Sequence, residues 1–246
     1  MYYTNKDSFV LSSVGCMGTE RDGLESILAG NEEGAKGCCL SVDRTADGIA
    51  VLSSDGIVTA PDGTVMRVGD HSYAELHQAA PQLLPAGQAI ELARTCQGKI
   101  AITVRSRKLL PQLRMTLRQV DYLDDTIFVG LGLVEAARLA AANPDLHIMG
   151  ELPSLPDDID ALVDASQTTG LFGLRAAPRD LTPRLLTACR QAGLFTMSQP
   201  TDDADVLAAL LRNGVNFIET RRPDITALLL PAGEAKPHQL PIKRYQ

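Results

Sequence analysis

The chain has 246 residues, 45% of them hydrophobic, a net charge of −7 and a mean hydropathy of zero. That is ample apolar material for a buried core, and the acidic balance (pI about 5.1) argues against nucleic acid as a partner, because phosphate contacts need a basic patch. No run approaches the ~18–20 apolar residues of a membrane span. The N-terminus, Met1 to Asp7, lacks a basic stretch followed by an apolar one, so neither a span nor a signal peptide is expected.

Five cysteines (16, 38, 39, 96 and 189) are odd in number and show no CxxC spacing. Buried free thiols in a reducing, cytoplasmic setting are the expectation. Adjacent Cys38 and Cys39 on a strand would point to opposite faces.

In chain order, Ser8 to Val14 reads as the first strand and Gly23 to Asn31 as a helix with Leu24, Ile27 and Leu28 on one face. Two β-type runs follow, Cys38 to Val42 and Ile49 to Leu52, flanking Thr45-Ala46-Asp47-Gly48. Asp-Gly between strand-like runs is a strong hairpin signal, since Gly accepts the positive φ the turn needs. Residues 43–85 form a hairpin and irregular insertion, with a turn at Ala60 to Gly63 and a short helix from Ser72 to Ala79. Ser72 and Glu75 have the spacing of a capping box.

From Ala86 the alternation is regular. Helices are predicted over Gly87 to Cys96, Lys108 to Gln119, Leu133 to Ala142, Asp157 to Ser166, Leu181 to Ala192 and Asp202 to Asn213. The intervening strands are Lys99 to Arg105, Thr126 to Val129, Leu146 to Met149, Gly170 to Leu174, Leu194 to Met197 and Val215 to Ile218. Gly193 and Gly214 stand where helix C-termini favour a left-handed residue. Strands alternating with helices imply parallel βαβ units, and about eight such units in this length fit an α/β (β/α)8 TIM barrel better than an open sheet. The barrel is expected to fill residues 1–230 as a single domain, with 231–246 an extended, Pro-containing tail.

The hairpin region resembles the glycerophosphodiester phosphodiesterases, which carry a Glu-Leu-Asp-Val-like strand, a Thr-x-Asp-Gly turn and an apolar strand ending in His-Asp. Leu40, Val42, Thr45, Asp47, Gly48, Val51 and Asp55 match that frame without a gap. The resemblance runs on through Gly15 and Leu24, through Gly98-Lys99, through Leu181-Thr182-Pro183 with Ala192-Gly193, and through Gly214 to Asp224. It implies the same barrel, hydrolysis of a glycerophosphodiester, a Mg²⁺ or Ca²⁺ ion, and two histidines for proton transfer.

The positions that should carry this chemistry are substituted. By the resemblance, Cys39, Ser41 and Thr103 stand where three metal-binding carboxylates belong, and Ser13 and Ser54 stand where the catalytic histidines belong. Val14 takes the place of an Arg, and Arg105 that of a phosphate-facing Lys. Hard cations need oxygen donors, preferably carboxylates, and a serine hydroxyl cannot shuttle protons near neutral pH. No bound metal is therefore expected.

Arg105 as an anion contact, Asp55 beside Ser54, and Glu151 just past a strand, where barrel active sites lie, are the candidate ligand-binding residues. Asp43 reads as an outward or turn residue, Cys39 as an inert thiol, Asp202-Asp203-Ala204-Asp205 as a helix start, and His71, His77, His147 and His238 as solvated or packing residues. The leading expectation is a non-catalytic binding or structural protein taking a small polar or phosphate-containing ligand. The alternatives are a phosphoric diester hydrolase rebuilt around Glu151, Asp55 or Cys39, and a homo-oligomer or protein partner engaged through the tail.

Overall fold

The computed structural model describes residues 8–229, so the 231–246 tail and His238 lie outside the described residues. Eight parallel strands close a barrel: β1 (Phe9–Ser12), β2 (Gly37–Arg44), β6 (Lys99–Val104), β7 (Thr126–Gly132), β8 (His147–Glu151), β9 (Gly173–Ala176), β10 (Phe195–Ser198) and β11 (Phe217–Thr220). Pairing of Phe9 with Phe217 and of Ser12 with Cys38 joins β1 to both neighbours and closes the ring. Outside it lie α1 (Glu25–Glu32), α3 (Ala86–Thr95), α4 (Leu110–Gln119), α5 (Leu133–Ala142), α6 (Ile159–Thr168), α7 (Pro183–Gln191), α8 (Ala204–Arg212) and α9 (Pro223–Leu229). The (β/α)8 barrel expected from the alternation is the fold observed.

The alternation within each strand sorts the two cores. Leu40, Val42, Ile100, Ile102, Phe128 and Ile148 face outward against the helices. Phe9, Leu11, Cys39, Ala101, Ile127, Met149, Met197 and Phe217 fill the barrel interior. Cys38 and Cys39 do part to opposite faces, Cys38 to the helix side and Cys39 to the interior. At the N-terminal end of the strands the floor is aromatic: Phe172 stacks on Phe195 with centroids 4.4 Å apart, and Phe9 on Phe217 at 5.7 Å. His147, also 4.4 Å from Phe172, packs into this floor.

The insertion is more ordered than its sequence suggests. Strand β3 (Ala50–Leu52) runs back along β2 and pairs Val42 with Leu52. A small hairpin of β4 (Ile57–Thr59) and β5 (Val65–Arg67) follows, then α2 (Tyr73–Ala79) with the capping box of Ser72 and Glu75 complete. Val51, Val58, Val68, Leu76, Ala80 and Leu83 give this segment its own small core. The Thr45 hydroxyl, fully buried, accepts from Ile49 N at 2.8 Å and pairs with Asp47, which in turn accepts from Tyr73 N at 3.0 Å. The Thr-x-Asp-Gly turn thus anchors the insertion to the end of β2.

Several boundaries move. Predicted strands from Gly170 to Leu174 and Val215 to Ile218 start later and end two residues further on, as β9 and β11, and β7 and β8 run to Gly132 and Glu151. The apolar signal marks the apolar part of each strand, and it fades at the C-terminal ends, which are buried at β9 and β11 but carry the polar residues of the barrel mouth. Asp203 caps α8, accepting from Asp205 N and Val206 N at 3.0 Å, so the acidic run is a helix start as expected. Asp202 leaves it to bind Arg221 and Thr220 at the end of β11.

Candidate functional site at the barrel mouth

Inward residues at the C-terminal strand ends share the parity of the interior core: Ser13 after β1, Ser41 and Asp43 on β2, Thr103 and Arg105 at the end of β6, Glu151 on β8, Arg175 on β9 and Glu219 on β11. Three of the charged members, Glu151, Arg175 and Glu219, form one network. Arg175 Nη1 donates to Glu151 Oε1 at 2.6 Å and Nη2 to Glu219 Oε2 at 2.7 Å. Ser13 donates its hydroxyl to Glu219 Oε1 at 2.8 Å, and Gly130 N donates to Glu151 Oε1 at 3.0 Å. Gln199 approaches the second Glu151 oxygen at 3.4 Å. Side-chain exposures of 18%, 12% and 8% for Glu151, Arg175 and Glu219 place the triad largely out of solvent. Burial works against a charged guanidinium there, but Glu219 and Glu151 outweigh it and hold Arg175 above its ordinary pKa.

Gly130 makes this geometry possible. The pairing of β7 with β8 slips between Phe128 and Leu131, and Gly130 holds φ at +87° in the bulge. An added Cβ would sit 2.8 Å from the Thr103 methyl carbon Cγ2. A side chain here would be strained and would crowd Thr103, so glycine lets the backbone N–H turn to Glu151.

The residues singled out in the sequence separate into those the structure gathers and those it does not. Glu151 is at the mouth, tied to Arg175 rather than open. Ser41 and Thr103 are half-buried neighbours in register on β2 and β6. Arg105 is exposed at the rim and donates to the Ser54 carbonyl. Ser54 turns to Asp22, donating its hydroxyl at 2.8 Å and its N–H at 2.9 Å, so it clamps the loop after β1. Asp55 lies outside this group: it is exposed, and its carboxylate accepts from Ile57 N at 3.2 Å in a turn of its own. Arg175 and Glu219 are the site residues that sequence reasoning missed. Both fall in the two-residue extensions of β9 and β11, and two charged residues at matching strand ends were the available signal.

The donors do not fit a hard divalent cation. At the three positions that the resemblance assigns to metal carboxylates, Cys39 offers a thiol and Ser41 and Thr103 neutral hydroxyls. Burial and the adjacent Glu219 push the Cys39 thiol well above its ordinary 9.0, against a smaller lowering by Arg175, so it stays protonated and a poor ligand. Among the described residues no group of three or more His, Cys, Asp or Glu side chains is placed to hold a metal ion.

Burial also raises Cys16 to about 11 and Cys38 and Cys189 to about 12. The half-exposed Cys96 is then expected to be the one thiol that a water-soluble disulfide reagent labels quickly in the native protein, against five after unfolding. The same shifts fix a pH dependence. The unfolded thiols ionise near 9.0 and the folded ones near 11–12, so their stabilisation is complete below pH 9 and is lost as pH rises through that window. Fast labelling of two or more thiols at neutral pH would contradict this burial.

No protein-family description matches the chain, and no curated protein matches it in sequence. Solved structures do match. The chain superposes on a glycerophosphodiester phosphodiesterase of Thermotoga maritima with TM-score 0.78 and 16% identity, covering 94% of this chain and all of that one. A glycerophosphodiester phosphodiesterase of Agrobacterium tumefaciens str. C58 gives TM-score 0.73 at 18% identity, covering 90% of this chain and 99% of that one. A phosphodiesterase of Oleispira antarctica, solved with its product sn-glycerol-3-phosphate, gives TM-score 0.75 at 17% identity, with 90% and 96% covered. The chain has the glycerophosphodiester phosphodiesterase fold.

Proposed function

We propose that this chain is a relative of the glycerophosphodiester phosphodiesterases that binds a small polar ligand at its barrel mouth and lacks metal-dependent hydrolysis. One observation carries the reading: no carboxylate stands at the positions that the resemblance assigns to the family's metal ligands, and of the carboxylates at the mouth the two glutamates are bound to Arg175 while Asp43 accepts from Arg44 N. Hydrolysis of a phosphodiester needs charge neutralisation at phosphorus and proton transfer to the leaving oxygen. The serines at positions 13 and 54 donate to Glu219 and Asp22 and have no titration near neutral pH to offer. General acid–base catalysis alone is typically worth about 10²–10⁴ in rate.

What the mouth does offer is hydroxyls from Ser41 and Thr103 beside the rim guanidinium of Arg105. The Oleispira antarctica neighbour holds sn-glycerol-3-phosphate, and a small polyol or its phosphate suits such donors. The test is hydrolysis of glycerophosphocholine by the purified protein with Mg²⁺ or Ca²⁺, alongside calorimetric titration with sn-glycerol-3-phosphate. The expected result is no metal-dependent turnover and saturable ligand binding that Arg105→Ala weakens. Turnover that is abolished by a chelator would overturn the proposal.

A further inference from the structure

We infer that Arg175 is the built-in cation of this barrel, standing in for a divalent metal by neutralising Glu151 and Glu219, and that these two carboxylates form a latent dication site which its guanidinium occludes. The inference rests on the reading that the native mouth takes no metal, and it assigns the reason to one side chain.

The geometry carries it. Glu151 and Glu219 belong to strands separated by two others, yet both reach the same guanidinium, at 2.6 and 2.7 Å, from opposite sides of Arg175. With Ser13 on Glu219 and Gly130 N on Glu151, five strand ends from β7 around to β1 are tied through one positive group. A planar fork satisfies two carboxylates at once, which a Lys point charge does less well. Two carboxylates against one guanidinium leave the triad one negative charge, so removing Arg175 would double it. What then remains is oxygen donors of the kind that hard cations take: two carboxylates and the Ser13 hydroxyl. The Arg175 Nε is buried without a hydrogen-bond partner, as expected for a group held by its two terminal nitrogens alone.

This makes the native protein indifferent to divalent metal at a place where the loss of Arg175 would restore dependence. The experiment titrates Ca²⁺ into the native protein, Arg175→Gln, Arg175→Lys and the double variant Arg175→Gln/Glu219→Gln by calorimetry, with thermal melts in EDTA and in Ca²⁺. Arg175→Gln should bind Ca²⁺ at least about ten-fold more tightly than the native chain and melt higher with the ion, whereas the Lys and double variants should not. Should Arg175→Gln be unfolded in EDTA, Ca²⁺ should restore its cooperative melt but not that of the double variant. A folded Arg175→Gln that binds no Ca²⁺, an unfolded one that Ca²⁺ leaves unfolded, or native binding as tight as the variant's would overturn the inference. Failure of the hydrolysis reading shows separately, as turnover by the native protein.

Discussion

Arg175→Met is expected to destabilise the protein by about 3–5 kcal/mol, read as a fall in the urea midpoint at unchanged slope. The loss comes less from the vanished attraction than from what stays behind. Glu151 and Glu219 are largely buried and would each lose a charge-assisted hydrogen bond, leaving two like charges facing one another above an apolar floor. The same reasoning predicts partial recovery. Replacing all three at once, as Arg175→Met with Glu151→Leu and Glu219→Leu, removes every stranded charge and should return the midpoint to within about 1–2 kcal/mol of native. The order single variant below triple variant is the signature of a desolvated network. If Arg175→Met cost less than about 1 kcal/mol, the triad would be behaving as a solvated rim ion pair, and its role as the barrel's internal cation would fail with it.

The barrel was legible because its evidence is periodic and redundant. Apolar runs such as Ile100 to Val104 and Thr126 to Val129 recur between amphipathic helices, and local devices such as the Ser72–Glu75 capping box and the Thr45–Asp47 turn are specified by neighbours in sequence. The site was legible only in part. Ser13, Ser41, Thr103, Arg105 and Glu151 could be placed at strand ends, and the structure puts them there. Arg175 and Glu219 could not, because the apolar signal stops two residues before those strands end, where the inward side chains turn polar although they stay largely buried. That Glu151 and Glu219 share one guanidinium depends on the curvature of the barrel wall, which brings Arg175 on β9 within 2.7 Å of Glu219, 44 positions further on and two strands away. Asp55 matched its place in the hairpin frame, and the structure holds it before Gly56 in a turn of its own, apart from the charged network.

Gly173→Ala is expected to be more damaging than so small a change suggests, by about 3 kcal/mol or more. At the start of β9 the chain passes so close to its neighbours that an added Cβ would lie 2.1 Å from the Phe195 carbonyl oxygen and 2.7 Å from Met149 Cε. Met149 could shift, but the carbonyl belongs to the neighbouring strand β10, and moving it would pull on the ring. Gly37, opening β2, is in the same position against the Lys99 carbonyl oxygen at 2.2 Å. Both glycines make room at the end of the barrel that Phe9, Phe172, Phe195 and Phe217 crowd. Gly87→Ala is the control, since it sits exposed in α3 with nothing within 4 Å of an added Cβ. There the same methyl should stabilise by about 0.5–1 kcal/mol, because a helical Gly loses more backbone freedom on folding than Ala. Opposite signs for one chemical change, measured as urea midpoints, would place the constraint in the barrel floor. A Gly173→Ala protein as stable as the native one would mean that β9 and β10 can part, and that the stacked rings have slack beneath the mouth they support.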